Sequence, residues 1–144
     1  QRGGGARSFH IDSTRIADIA PIVNANIARE ADLMTDDAAQ YRGLAKAFNS
    51  HRVINHSAKE YGWGPVHTNT VEGFYSIFKR GMKGVYQHCS EKHLHRYLAE
   101  FDFRYSNRLK LGIDDGQRAS VALKGIRGKR LTYRRIDTGG TQEA

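Results

Sequence analysis

The N-terminal part of the chain alternates between strand-like and helix-like spacing of its apolar residues. Phe9 and Ile11 alternate with polar neighbours, which predicts a strand over about 7–11. Apolar residues then recur at helical spacing, and Pro21 favours a helix that starts near residue 18 and runs to about 30, because proline fits a first helical turn. The recurring residues are Ile16, Ile19, Val23 and Ile27.

Two short apolar segments predict a pair of strands further along the chain, over about 32–35 and 51–54. Between them, an apolar stripe over 41–48 predicts a short helix. The first of these strands ends at the acidic pair Asp36 and Asp37, and ligands of α/β proteins often bind beyond the carboxyl ends of strands. The alternation of strands and helices predicts an α/β fold.

The second half of the chain is predicted to be mainly helical, after a loop over about 55–70. A first helix breaks near Gly81, a second follows Ser90 as its N-cap, and a short third helix covers about 118–126. The apolar stripe of the first helix consists of Val71, Phe74, Tyr75 and Phe78. At about 100° per residue, an adjoining face carries polar groups. These are Glu72, Ser76, Lys79 and Lys83.

Charge is distributed unevenly over the 144 residues, of which 39% are hydrophobic and suffice for one modest core. Residues 1–72 carry 8 basic and 8 acidic side chains, whereas residues 73–144 carry 15 basic and 7 acidic ones, so the second half holds the whole net charge of +8. A basic surface of this kind suits a polyanion such as nucleic acid. A solvated face that only aids solubility is the alternative.

Several classes of protein are excluded by composition. No apolar run approaches the length of a membrane span, and the glycine-rich start lacks a signal-peptide core, so we expect a cytoplasmic protein without membrane contacts. The single cysteine, Cys89, cannot form an intramolecular disulfide or a thiolate zinc site by itself. Any catalytic metal would therefore be held by oxygen or histidine ligands.

Asp36 and Glu72 are the carboxylates best placed for metal chemistry. Asp36 follows a strand and Glu72 lies in the first turn of a helix, and oxygen ligands are the ones that Mg²⁺ prefers. Both also have structural explanations. Asn69 and Glu72 match a variant of the capping box, and Asp36 or Asp37 could cap a helix that starts near Ala38. The spacing alone leaves these readings open.

Several ordered motifs closely resemble insertion-sequence transposases of the DDE superfamily, in the ISXO-two-like group. The strongest is HTNTVEGFYSIFKRG over 67–81, followed by GVYQH over 84–88 and SEKHLHRY over 90–97. Further matches are Thr35-Asp36 with Tyr41, VINHS over 53–57, EFDFRYSNR over 100–108 and GKRLTYR over 128–134. The similarity spans about residues 7–135.

The resemblance implies an RNase H-like α/β fold, the core of DDE transposases and integrases, in which three acidic residues bind two Mg²⁺ ions, replaceable by Mn²⁺. Asp36 and Glu72 take the second and third acidic positions. The strand that carries the first acid is expected to lie before this sequence, so the chain resembles the C-terminal part of a transposase and should show little catalysis alone. Asp12 is a weaker candidate for the first acid, because only 23 residues lie between it and Asp36, whereas the family places further strands between the first two acids; a helix cap or turn is its alternative role.

The resemblance implies three parts of the chain and a role on DNA. Residues 1–106 are expected to form a partial RNase H-like catalytic domain, 107–136 a basic extension with added helices, and 137–144 a disordered tail. The expected DNA contacts are His67, Asn69, Lys79, Arg80, Lys83, Lys129 and Arg130.

The intact protein is expected to cleave and transfer DNA strands, acting on transposon ends and target DNA as a homo-oligomer associated with the bacterial nucleoid. Two other functions stay open. One is a noncatalytic DNA-binding or assembly module derived from a transposase, and the other is a metal-dependent nuclease without strand transfer.

Overall fold

A computed structural model describes residues 3–55 and 67–129 of the chain. Backbone contacts divide the chain into two compact units, Gln1–Asn107 and Arg108–Ala144. The predicted boundaries of the basic extension and the tail stay predictions, and residues 137–144 lie outside the described part. Within the described ranges, none of the helices combines the length and apolar character needed to cross a membrane.

The described part of the first unit consists of helices and two strands. Its main elements are α1 (Ile16–Asn26), β1 (Asp32–Asp36), β2 (Ser50–Ile54), α2 (Asn69–Gly81) and α3 (Leu94–Ser106). Three tighter or wider helical segments connect them: 3₁₀ helices at Ala39–Ala47 and Glu91–His93, and a π-helical turn at Met82–Tyr86. The second unit contains a 3₁₀ turn at Leu109–Leu111 and helix α4 (Asp115–Ile126).

The two strands are parallel neighbours in one small sheet. The predicted combination of helices and strands in one α/β fold is confirmed. The RNase H-like fold stays a prediction. Asp32 pairs with Ser50 at one end of the ladder and Asp36 pairs with Ile54 at the other. The 3₁₀ helix between the strands covers one side of the sheet through a small core, because Leu44 and Phe48 pack with Leu33 of β1. Because the strands are parallel, their carboxyl ends lie at the same end of the sheet.

Aromatic rings join α2 to α3. Phe74 packs edge-on against Tyr105 with ring centres 5.2 Å apart, and Phe78 packs in the same way against Phe101 at 5.1 Å. The predicted stripe of α2 is thus correct for Phe74 and Phe78, whereas Val71 and Tyr75 are about half exposed at 51% and 55%. α2 uses a narrower apolar face than its composition indicates, and it leaves the Glu72 side open to solvent.

The strand predicted over 7–11 is wrong. The segment has no regular secondary structure, and it is held by side chains of α3. The Ser8 amide and hydroxyl donate to the Asp102 carboxylate at 2.6 and 2.7 Å, and the Ala6 amide donates to Ser106 Oγ at 3.0 Å. Alternating apolar residues indicate extended backbone, but a strand also requires a backbone partner. The segment is anchored to α3 instead.

Other boundaries differ by a few residues for local reasons. α1 covers 16–26 with Pro21 inside it, and its N-cap is Arg15, so the alternative of Asp12 as a helix cap is wrong. The predicted short helix over 41–48 is a 3₁₀ helix. α4 starts earlier than predicted because Asp114 and Gln117 form a capping box, with hydrogen bonds of 2.7 and 2.9 Å.

A polar clamp at the start of β1 gives a pH-dependent prediction. Ser50 Oγ and Asn49 Nδ2 donate to Asp32 Oδ1 at 2.6 and 2.9 Å, and these hydrogen bonds, Ser50 first, hold the pKa of Asp32 below its ordinary value of 3.8. The clamp therefore stabilises the fold above pH 3.8, and this contribution is lost as the pH falls through the lowered pKa. Ser50→Ala should raise the pKa of Asp32 toward 3.8 in an NMR titration of the carboxyl carbon. An unchanged pKa in this variant would contradict the clamp.

Candidate functional site

The carboxyl end of β1 presents Asp36 in a hydrogen-bonded setting. Asp36 is half-buried, and its Oδ1 accepts a hydrogen bond of 3.2 Å from the Ala38 amide at the start of the 3₁₀ helix. The preceding Thr35 hydroxyl donates to the Asp36 carbonyl at 2.8 Å and contacts His51 Nε2 across the sheet at 2.9 Å. The alternative that Asp36 or Asp37 caps this helix is wrong, because Ala38 is the N-cap and no side chain caps the 3₁₀ helix. The hydrogen bond from the Ala38 amide instead fixes the direction of the Asp36 carboxylate.

The start of α2 presents Glu72 from its first turn. The N-cap is Thr68, which is buried, and its hydroxyl donates to Glu72 Oε1. The capping box proposed between Asn69 and Glu72 is therefore wrong, because Asn69 is itself the first residue of the helix. Glu72 is exposed, and its position near the helix N-terminus favours a negative charge.

Tyr41 lies near Asp36 at the end of β1 and near Tyr75 of α2. Burial raises the pKa of the Tyr41 hydroxyl, and the nearby Asp36 carboxylate and Tyr75 hydroxyl raise it further. Tyr75 lies three residues after Glu72, so both side chains project from neighbouring positions of α2. The end of β1 and the exposed side of α2 therefore lie within electrostatic reach of one tyrosine.

Cationic side chains follow Glu72 along the same helix. Lys79 and Arg80 occupy the last turn of α2, and Lys83 lies in the π-helical turn; all three are exposed. Lys79 lies about 20° from Glu72 around the helix axis, because seven residues complete nearly two turns. The exposed side of α2 thus carries a carboxylate at its N-terminal end and cations at its C-terminal end.

The other expected DNA contacts have different settings. Asn69 is exposed at the first position of α2, and His67 precedes the helix as a half-buried side chain. Its Nδ1 atom is buried and has no hydrogen-bond partner among the described residues. Lys129 is exposed at the end of the described part of the second unit, and Arg130 lies outside it.

The sequence reasoning did not identify His51 and Thr68 as supports of the carboxylates. Their signal is weak in sequence, because a threonine four residues before a glutamate and a histidine in a strand are common. Only the parallel register, which pairs Leu33 with His51 and Thr35 with Val53, brings the imidazole to Thr35. The role of Thr68 likewise depends on where α2 begins.

The donor chemistry of Asp36 and Glu72 fits a hard divalent cation. Asp36 accepts a hydrogen bond from the Ala38 amide and Glu72 accepts one from the Thr68 hydroxyl, and such contacts are compatible with metal coordination because an ionised carboxylate has about four lone-pair sites. Mg²⁺ and Mn²⁺ take such oxygen ligands and retain waters. The residues present therefore fit the cation that the resemblance implies.

The structure thus defines a mixed α/β protein with a carboxylate at a strand end, a second carboxylate at a helix start and cations along that helix. Residues 1–106 match the family described as the ISXO2-like transposase domain. The chain belongs to this transposase family, as the motifs indicated. Neither the curated proteins nor the solved structures yield a match to the chain.

Proposed function

We propose that this chain is the part of a transposase that supplies two of the three metal-binding acids, Asp36 and Glu72, for Mg²⁺-dependent DNA strand cleavage and strand transfer by the intact protein. β1 and β2 then belong to an RNase H-like sheet, in which a further strand carries the remaining acid. The family match supports transposase-type function. The observation that carries the site assignment is the fixed setting of the two carboxylates: Asp36 ends β1 and accepts a hydrogen bond from the Ala38 amide, and Glu72 lies in the first turn of α2 and accepts one from Thr68.

The chain's own residues would hold the metal ions and the DNA. When bound, divalent cations activate the attacking oxygen and stabilise the leaving oxygen of a phosphodiester. Thr35 and Ala38 orient Asp36, and Thr68 orients Glu72, so the two carboxylates are held before a cation binds. No protein general base is needed, because metal ions can activate water or a 3′-hydroxyl.

Metal-dependent assays of the full-length protein test this function. Nicking of a supercoiled plasmid, and joining of a labelled duplex that carries the element's own ends, should require Mg²⁺ or Mn²⁺ and stop with EDTA. Nicking without joining would favour a metal-dependent nuclease. DNA binding without either reaction would favour the noncatalytic module. Cleavage that continues in EDTA would contradict the proposal.

The exposed cations of α2 are proposed to contact the DNA backbone, together with His67, Asn69, Lys129 and Arg130. Each phosphate neutralised by a side chain releases counterions, so affinity falls with salt. The triple variant Lys79→Ala, Arg80→Ala, Lys83→Ala should bind duplex DNA of any sequence more weakly, and the slope of log K against log salt should fall by about 3. Fluorescence anisotropy at several salt concentrations measures both quantities.

Lys46→Ala provides the control, because Lys46 is an exposed lysine in the 3₁₀ helix and outside the proposed interface. Its affinity and salt slope should match those of the unmodified protein. A triple variant with an unchanged salt slope would place the DNA interface elsewhere. The proposed homo-oligomer on DNA is testable by sedimentation of the same complexes.

A further inference from the structure

A second group of potential metal ligands lies where the N-terminal segment meets the start of α3. His10, Asp12 and Glu91 each offer one ligand atom, and these atoms all lie within 4.8 Å of one another. All three residues are exposed, and none is part of the pair Asp36 and Glu72. The group brings together side chains 79 positions apart in the sequence.

His10 and Glu91 are paired even without a metal ion. His10 Nε2 and Glu91 Oε1 are 3.6 Å apart, which is an ion pair when the imidazole is protonated and is longer than a typical N–H···O hydrogen bond of about 2.7–3.2 Å. Ligands at about 2.0–2.1 Å from a tetrahedral zinc ion are about 3.3–3.4 Å from each other. A zinc ion between the two atoms would therefore need only a small adjustment of exposed side chains.

The backbone on both sides of the group is anchored. His10 and Asp12 are two positions apart in the N-terminal segment, and their ligand atoms lie within 4.8 Å of each other and of the Glu91 carboxylate. Two hydrogen bonds from Ser8 to Asp102, of 2.6 and 2.7 Å, hold this segment against the helix that Glu91 precedes. The proposed ligands thus come from two segments that hydrogen bonds already hold next to each other.

The surrounding groove contains a further imidazole. His95 lines the same groove as His10 and Glu91, and it lies one helical turn after Glu91. Lys92 also lines this groove, and its ammonium group would repel a bound cation. Imidazole together with carboxylates favours a borderline cation such as Zn²⁺ over Mg²⁺, which takes oxygen ligands.

We propose that His10, Asp12 and Glu91 form a zinc-class metal site that crosslinks the N-terminal segment to the 3₁₀ helix Glu91–His93, which directly precedes α3. The site is structural and separate from the carboxylates proposed to act on DNA. It compensates for the lack of backbone pairing along 7–11 by a second attachment besides the Ser8 contacts. Its existence does not depend on the proposed DNA chemistry.

Isothermal titration of the 144-residue chain with Zn²⁺ tests this site. We expect one zinc ion per chain with a micromolar dissociation constant, and a Tm rise of about 5–10 °C when free zinc exceeds Kd by about 100-fold. His10→Ala, Asp12→Asn and Glu91→Gln should each weaken binding at least about tenfold. Because the three side chains are exposed, the metal-free variants should unfold at the temperature of the unmodified chain.

Two further variants separate this site from other sources of zinc affinity. His88→Ala removes an exposed histidine outside the group and should leave the affinity unchanged. Lys92→Gln removes the repelling charge and should retain or tighten binding. No heat of binding at about 100 μM zinc, or affinity that persists in both His10→Ala and Glu91→Gln, would overturn the proposal.

Discussion

Replacing Asp36 by Asn or Glu72 by Gln in the full-length protein is expected to reduce metal-dependent DNA nicking by about a thousandfold or more. A divalent cation contributes several kcal/mol of charge stabilisation to phosphoryl transfer, and each 1.36 kcal/mol corresponds to about a tenfold rate. The amide of Asn or Gln preserves the shape of the side chain and can still accept the hydrogen bond of Ala38 or Thr68. The loss should therefore reflect the missing charge. Rates of plasmid nicking at saturating Mg²⁺ measure it.

Asp37→Asn is the matched control for this experiment. Asp37 directly follows Asp36 and is more exposed, but it lies outside β1, so its neutralisation should leave nicking within a few fold of the unmodified rate. All variants should bind DNA comparably at moderate salt and unfold at similar temperatures. Undiminished nicking by either the Asp36 or the Glu72 variant would remove that residue from the site.

The local pattern of the sequence predicted most of the elements, because burial of one face leaves a periodic trace. The short strands at 32–35 and 51–54 and the helices around Phe74 and Phe101 were found at nearly their predicted places. The strand predicted over 7–11 was not found. Alternation of apolar and polar residues indicates which side chains face inward, but it does not show whether a neighbouring backbone accepts the hydrogen bonds of the segment. Its partner, Asp102, is 94 residues from Ser8 and cannot be recognised from local spacing.

The sequence predicted which carboxylates belong to the candidate site, but not the residues that orient them. Asp36 and Glu72 could be selected only through the resemblance, since each also had a plausible capping role. The contacts that orient them depend on the parallel register that places His51 beside Thr35, and on the exact first residue of α2. Neither can be deduced from the spacing of apolar residues. The group around His10 and Glu91 likewise exists only because a distant segment lies on α3.

Gly81 has a second role that local spacing does not show. The predicted break of the helix near Gly81 is confirmed, because α2 ends at this residue and a π-helical turn follows from Met82. The physical reason for glycine is close packing: a Cβ at this position would clash with Cζ of Phe101 and lie 2.9 Å from its Cε1. Phe101 is 9% exposed and packs against the ring of Phe78, so it has little room to move.

Gly81→Ala is therefore expected to destabilise the protein by about 2 kcal/mol. Overpacking of a core costs about 1–3 kcal/mol, and the better helix propensity of alanine returns at most about 1 kcal/mol of that. The melting temperature should fall by about 5–10 °C, measured by circular dichroism with reversible heating. The cost should shrink in a Phe101→Leu background, since the smaller side chain leaves space for the added methyl group.

Gly73→Ala is the control within the same helix. No atom lies within 4 Å of a Cβ built at Gly73, so this variant should gain stability by about 0.5–1 kcal/mol through helix propensity alone. The two substitutions are chemically identical, and opposite signs would show that contact with Phe101 determines the effect. If Gly81→Ala stabilised α2 as much as Gly73→Ala, the close packing of α2 on α3 would be wrong.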